Sequence, residues 1–179
     1  MSQDNIGPRE HIVPDGDDRE RLHCPDCGYI AYENPRVVVG AVPRHGDRIL
    51  LCRRAIPPAY GYWTMPAGYL ELHETTEHGA ERESWEEARA RLELGPILAV
   101  FSITHINQVQ IIYRARLLDP AVAAGPESLE VALFEWSEIP WDELAFPTVR
   151  WALEAERRAP ETGPTEPAGN PATESPGLK

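Results

Sequence analysis

Gly68 to Ala90 reads GYLELHETTEHGAERESWEEARA, and its glutamates fall at a spacing that solvation alone does not require. Glu83, Glu86 and Glu87 stand at i, i+3 and i+4, so on a helix their carboxylates share one face. Beside them run Ala80, Ser84 and Ala88, a row of small side chains that lets the helix lie close against a sheet. Thr75 or Thr76 supplies an N-cap, and Gly95-Pro96 bounds the other end, so a helix is expected from Thr75 to about Leu92. Taken alone, three glutamates are more simply read as the solvated face of a helix in an acidic protein.

The cost of crowding favours a second reading. Like charges about 5 Å apart repel by roughly 3 kcal/mol per pair at an effective dielectric near 20. A divalent cation removes that cost, and an all-oxygen ligand set suits Mg²⁺ or Mn²⁺ rather than Zn²⁺. Such a cation also bridges to the oxygens of a diphosphate.

Outward from this stretch, Arg36–Val42 and Arg48–Arg53 read as two strands of a hairpin turning at Arg44–Asp47. Downstream, Val100–Thr104, Val109–Leu117 and Val131–Trp136 are rich in β-branched or aromatic residues and read as further strands. Pro147–Ala159 reads as a closing helix, with Val149, Leu153 and Trp151 towards the core and Glu154, Glu156, Arg157 and Arg158 in water. This order implies an α/β or α+β domain, a mixed sheet with helices on its faces. Residues 1–34 form a polar leader containing the turn Cys24-Pro25-Asp26-Cys27-Gly28, and 35–159 form the folded domain. Residues 160–179 are proline-rich without an aromatic side chain, so they are expected to be a disordered tail whose removal changes neither turnover nor melting.

A formal charge of −12, from 29 acidic and 17 basic residues, disfavours a surface built for nucleic acid. It is compatible with a phosphorylated small molecule bound through cations. No apolar run is long enough for a membrane span, and the start MSQDNIGPRE lacks the pattern of a secretory signal. A cytoplasmic location, no membrane partner and a homodimer are the expectations. Three cysteines, Cys24, Cys27 and Cys52, do not make a disulfide framework.

Gly68, five residues, Glu74, seven residues, Arg82-Glu83, two residues and Glu86-Glu87 together resemble the Nudix box. Trp63-Thr64-Met65-Pro66-Ala67 leads into it, and the resemblance extends over roughly residues 36–158. It departs at Ser84, where the box usually has an aliphatic residue, and at Arg89, where it usually has glycine. Both bear on helix packing and its C-terminal turn rather than on the carboxylates.

The resemblance implies the Nudix α/β/α sandwich with a mixed β-sheet, preceded by a short degenerate zinc-ribbon-like segment. By the same analogy Glu83, Glu86 and Glu87 bind metal, Glu74 supports the metal site, and Arg82 orients a glutamate through a salt bridge. Gly68 is expected to permit a tight loop. The reaction implied is attack of a metal-polarised water on one phosphorus of a P–O–P bridge, releasing a nucleoside monophosphate. A box glutamate, Glu127 or Glu130 takes the proton.

Other candidates are weaker. Arg53 and Arg54 are candidates for phosphate contacts, although basic residues at strand ends more often face water. His105, Asn107 and Gln108 lie in a loop suited equally to reading a base or ribose and to an ordinary polar turn. Trp63 either stacks on a base or packs in the core. Cys24 and Cys27 have the spacing of one zinc knuckle, but four ligands close a structural site. Ser2 and Asn5 stand where the other cysteines belong, with His11 or His23 as substitutes, so less than one zinc per chain is expected. Within ribbon-bearing relatives the resemblance is to enzymes acting on ADP-ribose, FAD or related dinucleotides. The competing reading is a noncatalytic Nudix-like module that senses a nucleotide or contacts a partner.

Overall fold

In the computed structural model, residues 7–160 and 166–172 are described. The chain divides into two units, the first ending at Pro35 and the second beginning at Arg36. The first unit holds a three-stranded antiparallel sheet of β1 (Glu10–Ile12), β2 (Arg21–His23) and β3 (Ile30–Ala31).

The second unit is built on β4 (Arg36–His45), β5 (Arg48–Arg54), β6 (Trp63–Thr64), β7 (Ala67–Tyr69), β8 (Leu92–Ile103), β9 (Gln108–Leu117) and β10 (Ser128–Glu135). Five strands follow the order β10-β5-β4-β9-β8, with β6 beside β5 and β7 beside β4. β4 and β9 run parallel and the other pairs antiparallel, which makes the sheet mixed. Helices α1 (Thr76–Ala88) and α2 (Pro147–Arg158) complete the unit.

The valine run of β4 reflects burial on both faces. Val39 and Ala41 pack with Ala80 of α1, whereas Val42 packs with Val149, Ala152 and Leu153 of α2. Likewise Leu50 and Cys52 of β5 meet Ala88, while Ile49 and Leu51 face the α2 side. The helices therefore cover opposite faces, giving the expected α/β/α sandwich. The small-residue row of α1 is buried, and a Cβ on Gly79 would stand 2.7 Å from Val39 Cγ2, so the α1 backbone lies directly on the side chain of Val39 in β4.

Thr75 caps α1, its Oγ1 accepting from His78 N at 3.2 Å. The helix ends at Ala88, short of the expected Leu92. Arg89 adopts the left-handed conformation (φ 52°), Arg89 N donates to Trp85 O and Ala90 N to Ser84 O, which turns the chain out of the helix. Leu92 instead opens β8, opposite Leu117. Gly95-Pro96 thus sits inside a strand, at a break in register between Leu94 and Ile97 on an edge strand, where a missing N–H is tolerated.

Two expectations about the C-terminal part are corrected. Glu156 is not solvated: its side chain is 1% exposed and its Oε1 accepts from Arg114 Nη2 at 2.8 Å and Arg44 Nη1 at 3.3 Å. The described part of the tail does not lie free either. Ala168 packs on the core and pairs with β8 in parallel, through Ala168 N to Leu98 O and Val100 N to Ala168 O, both 2.9 Å. Backbone groups and one asparagine hold it, so apolar content was the wrong measure of docking. Residues 161–165 and 173–179 lie outside the described residues.

Candidate functional site

β7 places Gly68 opposite Val39, and α1 crosses so close that the Glu83 carboxylate lies against the Gly68 backbone. A side chain at 68 would overlap that carboxylate. Gly68 is not in the left-handed region, so its reason is close approach rather than the tight loop expected from sequence.

The three glutamates share a helix side but not one environment. Glu87 is 7% exposed and accepts from Ala67 N at 3.3 Å. Glu83 is largely buried, while the Glu86 side chain is about half exposed at 54%. Burial, and then the neighbouring Glu83 charge, push the Glu87 carboxyl up to about 8. Burial also raises Glu83, against the pull of Arg82.

Arg82 is the hub. Its Nη1 donates to Glu83 Oε1 at 2.7 Å and to Glu86 Oε2 at 3.1 Å. Its Nη2 donates to Glu74 Oε1 at 2.8 Å and Tyr69 O at 2.9 Å, and its Nε to Glu74 Oε2 at 3.1 Å. Glu74 is held at about 2, first by Arg82 and then by the Glu71 backbone N–H. With both oxygens on the guanidinium, Glu74 is placed to anchor Arg82 rather than to face a ligand.

Sequence reasoning missed what closes the C-terminal end of α1. Gly125 N donates to Glu87 O at 2.9 Å and Ala123 N to Ala88 O at 3.0 Å, so this loop satisfies the last helix carbonyls. A side chain at 125 would overlap the Glu86 carbonyl. The same loop brings Glu127 near enough for its charge to raise both Glu83 and Glu87.

A cavity of roughly 1120 Å³ gathers most of these groups. Glu83, Glu86, Glu87, Arg82, Arg54, Glu127, His105 and Gln108 line it. Arg53, Trp63, Glu74 and Glu130 do not. Arg53 donates to Gly61 O at 2.8 Å and pairs with Glu130 at 3.6 Å, away from the glutamate row. Trp63 is buried edge-on against Phe134, the core alternative. Arg89, Gln110 and Asn170 line the cavity without having been singled out. Arg89 was signalled by its departure from glycine and Gln110 by its two-residue spacing from Gln108, whereas nothing in the sequence marked Asn170.

The donor set fits a hard dication in kind: it is oxygen-only, and two of its three carboxylates, Glu83 and Glu87, are largely buried. Among the described residues no three acidic, histidine or cysteine side chains already converge as a metal cage, and Arg82 donates to both Glu83 and Glu86. The ribbon segment fits zinc poorly. Cys24 is buried and Cys27 exposed, and they are joined by a turn in which Gly28 N donates to Cys24 O. His23 lies 3.8 Å from Glu10, and the only other cysteine, Cys52, is buried in β5. Ser2 and Asn5 lie outside the described residues. Arg9 instead ties β1 to the turn through both oxygens of Asp26.

Comparison with known proteins agrees with this geometry. The NUDIX domain family model matches residues 34–156, and the Nudix N-terminal (zinc ribbon) model matches 7–33. A solved NUDIX hydrolase from Nitrosomonas europaea is 45% identical, with a TM-score of 0.81 over 88% of this chain and 90% of that one. A MutT-like protein from Streptomyces ambofaciens is 34% identical over 57% of this chain and 64% of its own length. The chain thus spans less than two thirds of that relative. An ADP-ribose pyrophosphatase from Methanocaldococcus jannaschii is 27% identical over 66% of this chain and 71% of its own. The glutamate row on α1, the glycine beneath it and these matches together show that the chain belongs to the Nudix hydrolase family.

Proposed function

We propose that this protein hydrolyses the diphosphate link of a nucleoside diphosphate derivative such as ADP-ribose, FAD or a related dinucleotide, releasing a nucleoside monophosphate, and that it depends on Mg²⁺ or Mn²⁺. The observation that carries the reading is that Glu83, Glu86 and Glu87 line one cavity together with three arginines, Arg54, Arg82 and Arg89. Similarity to the archaeal ADP-ribose pyrophosphatase supports the substrate class.

Glu83, Glu86 and Glu87 would hold the dication, which supplies charge neutralisation at the phosphoryl oxygens and an acidified water. Arg82, fixed by Glu74, sets the Glu83 rotamer and keeps the row from relaxing outward. Arg54 lines the cavity, its Nε donating to Pro58 O at 2.8 Å, and its guanidinium would meet the phosphates. Glu127, beside the row, is the proton acceptor of choice, since Glu130 is turned to Arg53.

The test is product release across ADP-ribose, FAD and nucleoside triphosphates with saturating Mg²⁺. ADP-ribose or FAD is expected to be cut faster than any triphosphate, with AMP among the products. Preference for a triphosphate overturns the substrate class, and no metal-dependent turnover on any of them favours a sensing module.

A further inference from the structure

One residue of the tail borders the cavity. Asn170 lines it, and its amide mimics a strand: Oδ1 accepts from Ser102 N and Nδ2 donates to Ser102 O, both at 2.9 Å. Ala168 adds two backbone bonds to the same edge of β8.

The register gives the position of this segment relative to the glutamates. Gly68 pairs with Val39, Val39 with Ile111 and Ile111 with Val100, and Val100 N donates to Ala168 O. Four inter-strand steps therefore separate Gly68, beneath Glu83, from the tail, a distance of roughly 19 Å at about 4.8 Å per step. A bare diphosphate cannot touch both ends of that row, whereas a nucleoside diphosphate derivative extended through its ribose and base can.

After its two bonds to Ser102, the Asn170 amide keeps one N–H and one oxygen lone pair. Near it the cavity wall holds the amides of Gln108 and Gln110 and the apolar Ile103 and Ile106. Apolar side chains beside amides suit a planar heteroaromatic group carrying donors and acceptors.

We propose that Asn170, held in place by the docked tail, forms part of the far wall of the substrate cavity and recognises the base end of a nucleoside diphosphate derivative. This rests on the proposed hydrolase reading, which supplies the diphosphate at Glu83.

Three forms of the protein test it: the chain ending at Pro160, Ala168→Pro, which removes one docking N–H, and Asn170→Ala. Each is assayed for KM and kcat on ADP-ribose. Equilibrium binding of ADP-ribose is measured in parallel by calorimetry in a Glu86→Gln background, where turnover is expected to be slowed at least about a hundredfold. Melting temperature reports whether each form is folded, and hydrogen exchange at Val100 and Ser102 reports undocking. The expected result is a rise of about tenfold in KM and Kd with kcat within about threefold, a loss of binding common to both substrate and transition state. KM and Kd within twofold of the parent, or no binding of ADP-ribose by the parent background, overturn the proposal. Turnover with tail-independent KM sinks the tail alone. Tail-dependent binding without turnover sinks the hydrolase reading and supports the recognition role.

Discussion

The carboxylate of Glu83 rests on the bare backbone of Gly68, in the space a side chain at position 68 would occupy. Helix and strand are thereby locked at one separation, and Glu83 is held between Gly68 on one side and Arg82 on the other. Gly68→Ala should leave the fold intact, because the carboxylate is the far end of a side chain and can swing away. The arrangement of the proposed metal-binding row does not survive that swing. We expect kcat to fall about a hundredfold, the scale of a misplacement near 1 Å, with the melting temperature within a few degrees of the parent. Unchanged kcat would show that Glu83 acts from another position.

Arg89 occupies a left-handed position at the helix end, where an L side chain costs roughly 1 kcal/mol relative to glycine. Its guanidinium also stacks over Trp85 at 5.6 Å and borders the cavity. Comparing Arg89→Gly with Arg89→Ala separates the two effects. Glycine should melt about 2–4 °C above alanine, the shift for about 1 kcal/mol in a chain of this size, while both raise KM alike by losing the cation. Equal melting temperatures for the two variants would refute the backbone argument.

How much of this was legible in the sequence depended on whether the cause was local. Thr75 announced the start of α1, and the i, i+3, i+4 spacing put the glutamates on one side, because capping and helical period are properties of adjacent residues. Glu156 carried no such mark. It sits in a charged run with Glu154, Arg157 and Arg158, and only the arrival of Arg44 and Arg114 from β4 and β9 makes it a buried partner. Pro96 read as a boundary because its neighbours in the sheet, which allow a register break there, are more than ten residues away. The tail was misjudged for the same reason: Asn170 docks through a backbone edge that no composition rule anticipates. Arg53, Trp63 and Glu130, expected near substrate, point into their own contacts, since the strand alternation that decides their side depends on pairing with β6 and β10.

Glu156 gives a stability prediction independent of the active site. Removing the carboxylate from a buried ion cluster takes a desolvated partner from its arginines and typically costs at least about 3 kcal/mol. Glu156→Ala leaves Arg114 and Arg44 without the Oε1 they share, so the melting temperature should fall by about 6–12 °C. Glu156→Gln keeps an acceptor and should lose less. kcat at a temperature where both stay folded should match the parent, because Glu156 does not border the cavity. A melting temperature within 2 °C of the parent for Glu156→Ala would show the cluster to be energetically neutral.

The glutamate row gives the last prediction, in which activity and stability move in opposite directions. Glu87 titrates near 8 in the metal-free fold, above its ordinary range, because burial and the Glu83 charge disfavour its ionised form. A carboxyl raised on folding stabilises the protein below the unfolded value, near 4.5, and that stabilisation is lost as pH rises towards 8. In EDTA the parent should therefore melt lower at pH 8 than at pH 5. Glu87→Gln, which mimics the protonated form, should flatten this dependence and be at least as stable as the parent at pH 8. Its turnover should behave in the contrary way. A neutral amide is a poor ligand for a hard dication, so Glu86→Gln and Glu87→Gln should each lose at least about a hundredfold, the scale of removing a positioned catalytic group. Glu77 is the control: it sits in the first turn of α1, bonded to Thr76 and off the cavity wall, and Glu77→Gln should keep parental turnover. Rates within threefold of the parent for both row variants at saturating Mg²⁺ would defeat the metal-binding role proposed for the glutamates. A parental pH slope retained in Glu87→Gln would place the titrating group elsewhere in the row.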